Sequence, residues 1–188
     1  MIRALIYITL LVAIFLPASA EVRLASIFTD HMVLQRDKPL TLWGWAEPGE
    51  SITLDLAGQS GKTTADAQGR WTLRLAPLSA GGPHTLTVQG ANTLSLKDIL
   101  IGEVWLCSGQ SNMAMKVQGT LNAEAEIAAA HFPQIRIAPI KRRASPKALA
   151  NCKLRGWKIC SPETVGQLSA TAYYFGRHLH QHLKVPIG

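Results

Sequence analysis

Between residues 40 and 90 apolar and polar side chains alternate. The segments "LTLWGWA" (40–46), "SITLDLAG" (51–58), "RWTLRLA" (70–76) and "HTLTVQG" (84–90) each put every second residue on one face. The turn-forming stretches "EPGE", "AQGR" and "SAGGP" separate them. A period of two over several short runs predicts an N-terminal antiparallel β-sandwich over residues 21–99, each sheet with one wet face. Trp43, Trp45 and Trp71 share strand parity within their segments. They read as core aromatics in preference to a sugar-stacking platform, because large rings supply much of a small sandwich's buried area.

The rhythm changes near residue 100. "ILIGEVWLC" is a nearly continuous apolar run, as in a strand covered on both faces. "LNAEAEIAAAH" (121–131) favours helix, and "IRIAPI" (135–140) reads as a second short strand. A long helix is predicted to start at Ser161, an N-cap residue, with Pro162 in the first helical position. Leu168, Ala172, Phe175 and Leu179 recur on one helical face, which Tyr173, Tyr174 and Leu183 broaden. "VPIG" opens another apolar strand. Strand, helix, strand, helix, strand predicts a parallel sheet. Residues 100–188 are thus expected to be the incomplete start of a parallel α/β/α domain.

The first twenty residues, "MIRALIYITLLVAIFLPASA", have a signal-peptide layout: one cation, a long apolar run and a small-residue close at Ala18-Ser19-Ala20. Cleavage there leaves 168 residues and, with Arg3 gone, takes the net charge from +7 to +6. No later stretch reaches the ~20 apolar residues of a spanning helix. The mature chain is therefore expected to be exported, periplasmic or secreted, without a membrane anchor. The densest cationic cluster, "KRRASPK" (141–147), reads as a solvated loop rather than a polyanion site, and nucleic acid is not an expected partner. Of three cysteines, Cys152 and Cys160 are chemically free to pair after export, although spacing does not establish it. Cys107 reads as a small buried hydrophobe within "EVWLC".

The chemistry concentrates in "GEVWLCSGQSNMAMK", residues 102–116. An apolar strand ends there in Ser108-Gly109-Gln110-Ser111, and "NMAMK" can begin a helix. The carboxyl end of such a strand faces the crevice where open α/β sheets bind ligands. Ser111 would sit near unpaired backbone amides able to stabilise an oxyanion. Gly109 permits close backbone approach, while Gln110 and Asn112 can orient neighbours by hydrogen bonding. The ordinary meaning of a serine at this place is a helix cap. Ser108 is the competing nucleophile, closer to the strand.

"GEVWLCSGQSNM" resembles the nucleophile block of the sialate O-acetylesterase family, a branch of the SGNH-type hydrolases. "IFTDHMVLQRDKPLTLWGWAEPGE" and "DAQGRWTLRLAPLSAGGPHTLTVQG" are similar to that family's N-terminal β domain. "CSPETVGQLSATAYYFGRHLHQHLKVPIG" resembles the segment leading into the next strand of its catalytic domain. The resemblance implies that Ser111 is the nucleophile and a backbone oxyanion donor, supported by Gly109, Gln110 and Asn112. It implies serine-dependent removal of O-acetyl groups from sialic acid or other acetylated glycans, with no metal or organic cofactor. The family's base and its orienting acid are spaced Asp-x-x-His, and that spacing does not occur here. Asp30, Asp37, Asp55, Asp66 and Asp98 all precede the serine. His178 and His182 stand four apart, which can suit a metal, but they read better as a solvated helix end. His84 and His131 carry no motif. The expectation is a truncated relative lacking the His/Asp block, inactive in isolation and active only if a complementary C-terminal chain supplies that block. The alternatives are a non-catalytic exported glycan-binding module and a degenerate gene fragment.

Overall fold

A computed structural model describes residues 21–188. The expected signal peptide, residues 1–20, lies outside the described residues. The sandwich pairs a three-stranded sheet with a five-stranded one. The first, in the order β1-β3-β6, contains β1 (Arg23–Leu24), β3 (Leu40–Trp45) and β6 (Arg70–Leu75). The second, in the order β2-β8-β7-β4-β5, contains β2 (Val33–Gln35), β4 (Ser51–Leu56), β5 (Gln59–Thr64), β7 (Gly81–Gln89) and β8 (Thr93–Gly102). Leu42, Trp71 and Leu73 of one sheet meet Ile52, Leu54, Leu86, Val88 and Ile99 of the other in a single buried core. The alternation did its expected work: β4 and β6 bury every second residue.

Three details depart from the sequence reading. β2 lies parallel to β8, not antiparallel. β5 was not expected, because "QSGKTT" has no apolar alternation. It forms because Ala57 and Gly58, both at positive φ, make a two-residue hairpin that returns the chain along β4. The three tryptophans do not share a face. Trp71 pairs with Gly44 and points inward, whereas Trp43 and Trp45, opposite Thr72 and Arg70, lie half-buried on the outer side.

Beyond β8 come α1 (Ser111–Ala114), a 3₁₀ turn at Val117–Gly119, α2 (Ala123–Ala128), β9 (Phe132–Ile137), β10 (Lys158–Cys160), α3 (Pro162–Val165) and α4 (Ala170–Leu183). The parallel arrangement is present but small. Ile187 forms parallel bridges to Glu103 on one side and Ile135 on the other. The Glu103 amide donates to Pro186 O (2.9 Å) and the Arg136 amide to Ile187 O (2.8 Å). β10, also unexpected, runs antiparallel to β9. The single long helix expected from Ser161 is two helices. Ser161 and Thr164 close a capping box on α3, but the carbonyls of Gly166 and Leu168 accept from the amides of Gln118 and Val117. Carbonyls used that way cannot continue the helical ladder, and α4 restarts at the Ser169 cap. Val117, Ile135, Val165, Leu168 and Tyr173 make a second core.

Two polar clasps join these cores. At one, Arg136, almost wholly buried, donates to both oxygens of Asp98 (2.7 and 3.2 Å), whose Oδ2 also lies 2.7 Å from His31 Nδ1. At the other, Arg36 Nε donates to Glu103 (2.7 Å), and the Val104 amide donates to Gln35 Oε1 (2.9 Å).

Candidate active site

The expected buried strand "EVWLC" is not buried. β8 ends at Gly102, and residues 104–107 are exposed, Leu106 at 86%. Among the described residues nothing covers the outer side of this segment. It is held by the 186–188 segment, through the Trp105 amide donating to Gly188 O (2.9 Å), and by the Val104 amide donating to Gln35 Oε1. Cys107 is consequently exposed rather than a core residue. Its sulfur is shielded enough that desolvation raises its pKa, so it stays a thiol. Cys152 and Cys160 are both free, and burial pushes the Cys160 thiol up to about 11.

Ser111 opens α1, a single turn, and is exposed. So short a helix carries little dipole, and its useful feature is local. The Met113 amide is taken by Gln110 O, whereas the amides of Ser111 and Asn112 find no backbone partner among the described residues. Both are available to an incoming oxyanion. Crowding does not require the glycine at 109: a Cβ there would meet Met113 Cβ at 3.4 Å, an ordinary contact. Gln110 occupies the cap position without making a side-chain cap bond.

The turn is fixed from the far side by α4. Ala170 N donates to Met115 O (2.8 Å), Thr171 Oγ1 to Asn112 O (3.2 Å), and Ser169 Oγ reaches Met113 Sδ at 3.5 Å. Beside it runs an open groove of about 310 Å³, lined by Trp105, Leu106, Cys107, Ser108, Met113 and Phe175 among others. Trp105 and Phe175 meet edge to face at 5.2 Å. Ser108 therefore faces the groove wall, and Ser111 stands beyond it on α1.

The structure brings Gly109, Gln110, Ser111 and Asn112 together in one turn, but among the described residues no base is brought to them. The histidines with assigned partners are engaged elsewhere: His31 with Asp98, His180 Nδ1 with Val185 O, and His182 Nδ1 with His178 O. The rings of His178 and His182 stack at 4.0 Å. Among the described residues no group of three or more His, Cys, Asp or Glu is arranged to hold a metal ion. The sequence reading missed Glu103 as the residue that anchors this strand. Its carboxyl lies below the usual range because Arg36 hydrogen-bonds it. The signal was present in "GEVW", but its partners Gln35 and Arg36 are remote in sequence.

No protein-family profile matches the chain. Human sialate O-acetylesterase is 35% identical over 88% of this chain, and the mouse protein of the same name 34% over 88%. The chain spans about a third of these relatives' length, 36% and 34% respectively. The crystal structure of a carbohydrate acetylesterase from Xanthomonas citri superposes with a TM-score of 0.87 at 35% identity, covering 89% of this chain and 39% of that one.

Proposed function

We propose that this chain, a relative of the sialate O-acetylesterases over about a third of their length, carries the nucleophile half of an SGNH-type carbohydrate O-acetylesterase. One observation carries the reading. In a fold shared with a carbohydrate acetylesterase, Ser111 is exposed on a turn following a parallel strand, beside two unpaired amides.

The chemistry follows from that geometry. Ser111 Oγ attacks the carbonyl carbon of a sugar O-acetyl group. The oxyanion forms against the Ser111 amide, with Asn112 N beside it. The sugar hydroxyl leaves with a proton, and water then releases acetate from the acetyl-enzyme. Taking the Ser111 proton requires a histidine that residues 21–188 do not place at the site. We assign that histidine, and the aspartate orienting it, to a complementary C-terminal segment bearing Asp-x-x-His. Export through residues 1–20 would bring the protein to glycans outside the cytoplasm.

The test combines the chain with the Asp-x-x-His-bearing portion of a relative and measures acetate release from O-acetylated sialic acid. Activity should appear on combination and fall about 10⁴-fold with Ser111→Ala. Equal rates for both forms of the serine would remove it from the mechanism.

A further inference from the structure

The chain has nineteen cations and twelve carboxylates, but the imbalance is local. Residues 141–158 hold seven cations and no carboxylate, and the remainder balances at twelve against twelve. The whole net charge of +7 therefore sits on one segment. It is also a built segment. Ile140 and Leu154 form an antiparallel bridge, and Lys141 N donates to Lys153 O (3.0 Å), so Lys141 and Lys153 stand directly opposite. Like charges so placed repel. Among the described residues none of the seven enters an ion pair, and all seven are exposed.

What holds them together is attachment to the sandwich. Trp157 is buried in the sandwich core and its Nε1 donates to Ile27 O (2.8 Å). Asn151 Oδ1 accepts from Ser26 N (2.9 Å). The result is a fixed groove of about 330 Å³ lined by Ser26, Lys141, Cys152, Lys153, Leu154 and Arg155. A solvated loop would let its cations spread, whereas this one keeps three of them on one concavity.

We propose that this groove docks an acidic polysaccharide, with sugar carboxylates seated between Lys141, Lys153 and Arg155. The hairpin leaves the carboxyl end of β9, and the Ser111 turn leaves the carboxyl end of the parallel 103–105 segment. Both therefore belong to the ligand-binding edge of that sheet. Two other polyanions fit less well. Single-stranded nucleic acid wants exposed aromatic rings among the cations, and the one aromatic here, Trp157, is buried. A bilayer meets a flat or convex face, and these three cations line a concave one. The choice of a glycan rests on the carbohydrate reading above, but the binding test does not depend on turnover.

The probe is polygalacturonate, titrated calorimetrically into the full chain at low and physiological salt. Binding should weaken as salt rises. The variant K141Q/K153Q/R155Q should lose about tenfold in affinity, whereas R142Q/R143Q/K147Q, with the same change in charge, should lose about twofold. Circular dichroism confirms that both fold. Ser111→Ala should bind as the parent does, which separates this proposal from the fate of the nucleophile. Equal losses in the two triple variants overturn the proposal. So does absence of binding, or tighter binding to duplex DNA or phosphatidylglycerol vesicles than to polygalacturonate.

Discussion

Asp98 is the centre of one of the two clasps that join the cores, and its chemistry gives a test. The groups facing it are Arg136 and His31, and the Arg136 hydrogen bond is the main reason its carboxyl lies below the usual range. A carboxyl whose native pKa is lowered adds stability above its unfolded value, near 3.9, and loses it as pH falls through the native value. Asp98→Asn keeps the shape and tolerates the positive φ of 56° at this position. It leaves buried Arg136 without its counter-ion. We expect a loss of about 2–3 kcal/mol at pH 7 by urea denaturation, shrinking as pH drops below about 4. A difference independent of pH would show that the charge pair is not the cause. Nothing local in the sequence announced this clasp. Asp98 and Arg136 are separated by 38 positions, and neither lies in a periodic pattern that requires the other. The turn around Ser111, by contrast, was legible as a unit because Gly109, Gln110, Ser111 and Asn112 are contiguous.

At the scale of elements, the segment 186–188 completes the small parallel sheet, and Gly102 is what lets it approach. A Cβ at Gly102 would lie 2.0 Å from Pro186 O. Gly102→Ala must therefore push the two strands apart, at a cost of about 1–3 kcal/mol. Hydrogen exchange should show lost protection at Glu103, Trp105, Arg136 and Ile187, with the sandwich amides of Leu54 and Val88 unchanged. Uniform loss would mean that the sheet is not an independent element. The sandwich was readable because burial on one face imposes a period of two, and β3, β4 and β6 obey it. β5 was not, since an edge strand closed by a turn needs no apolar face. The break before α4 was hidden for a related reason. It is made by backbone carbonyls turning to the 3₁₀ segment, and side-chain periodicity does not report where carbonyls point. "EVWLC" misled in the opposite sense: its apolar run predicted two covered faces, and the described residues cover one edge.

For the whole molecule, that uncovered face sets the behaviour in solution. Trp105, Leu106 and Phe175 are large apolar residues exposed along the groove beside the Ser111 turn. Contiguous apolar surface of this kind drives association. The net positive charge of the chain opposes association through repulsion between copies, but it is carried by the basic hairpin and not by these side chains. The chain should therefore self-associate even though its net charge is +7. Raising the salt should strengthen the association by screening that repulsion. Sedimentation velocity on the chain at increasing concentration should show mass above the monomer. Leu106→Ser with Phe175→Ser should restore the monomer, and the melting temperature should change little, because both side chains sit outside the two cores. If a complementary C-terminal segment supplies the missing base, it should cover this same face and make the parent chain monomeric in the complex. A complex that still self-associates would place that segment elsewhere, and with it the histidine assigned to Ser111.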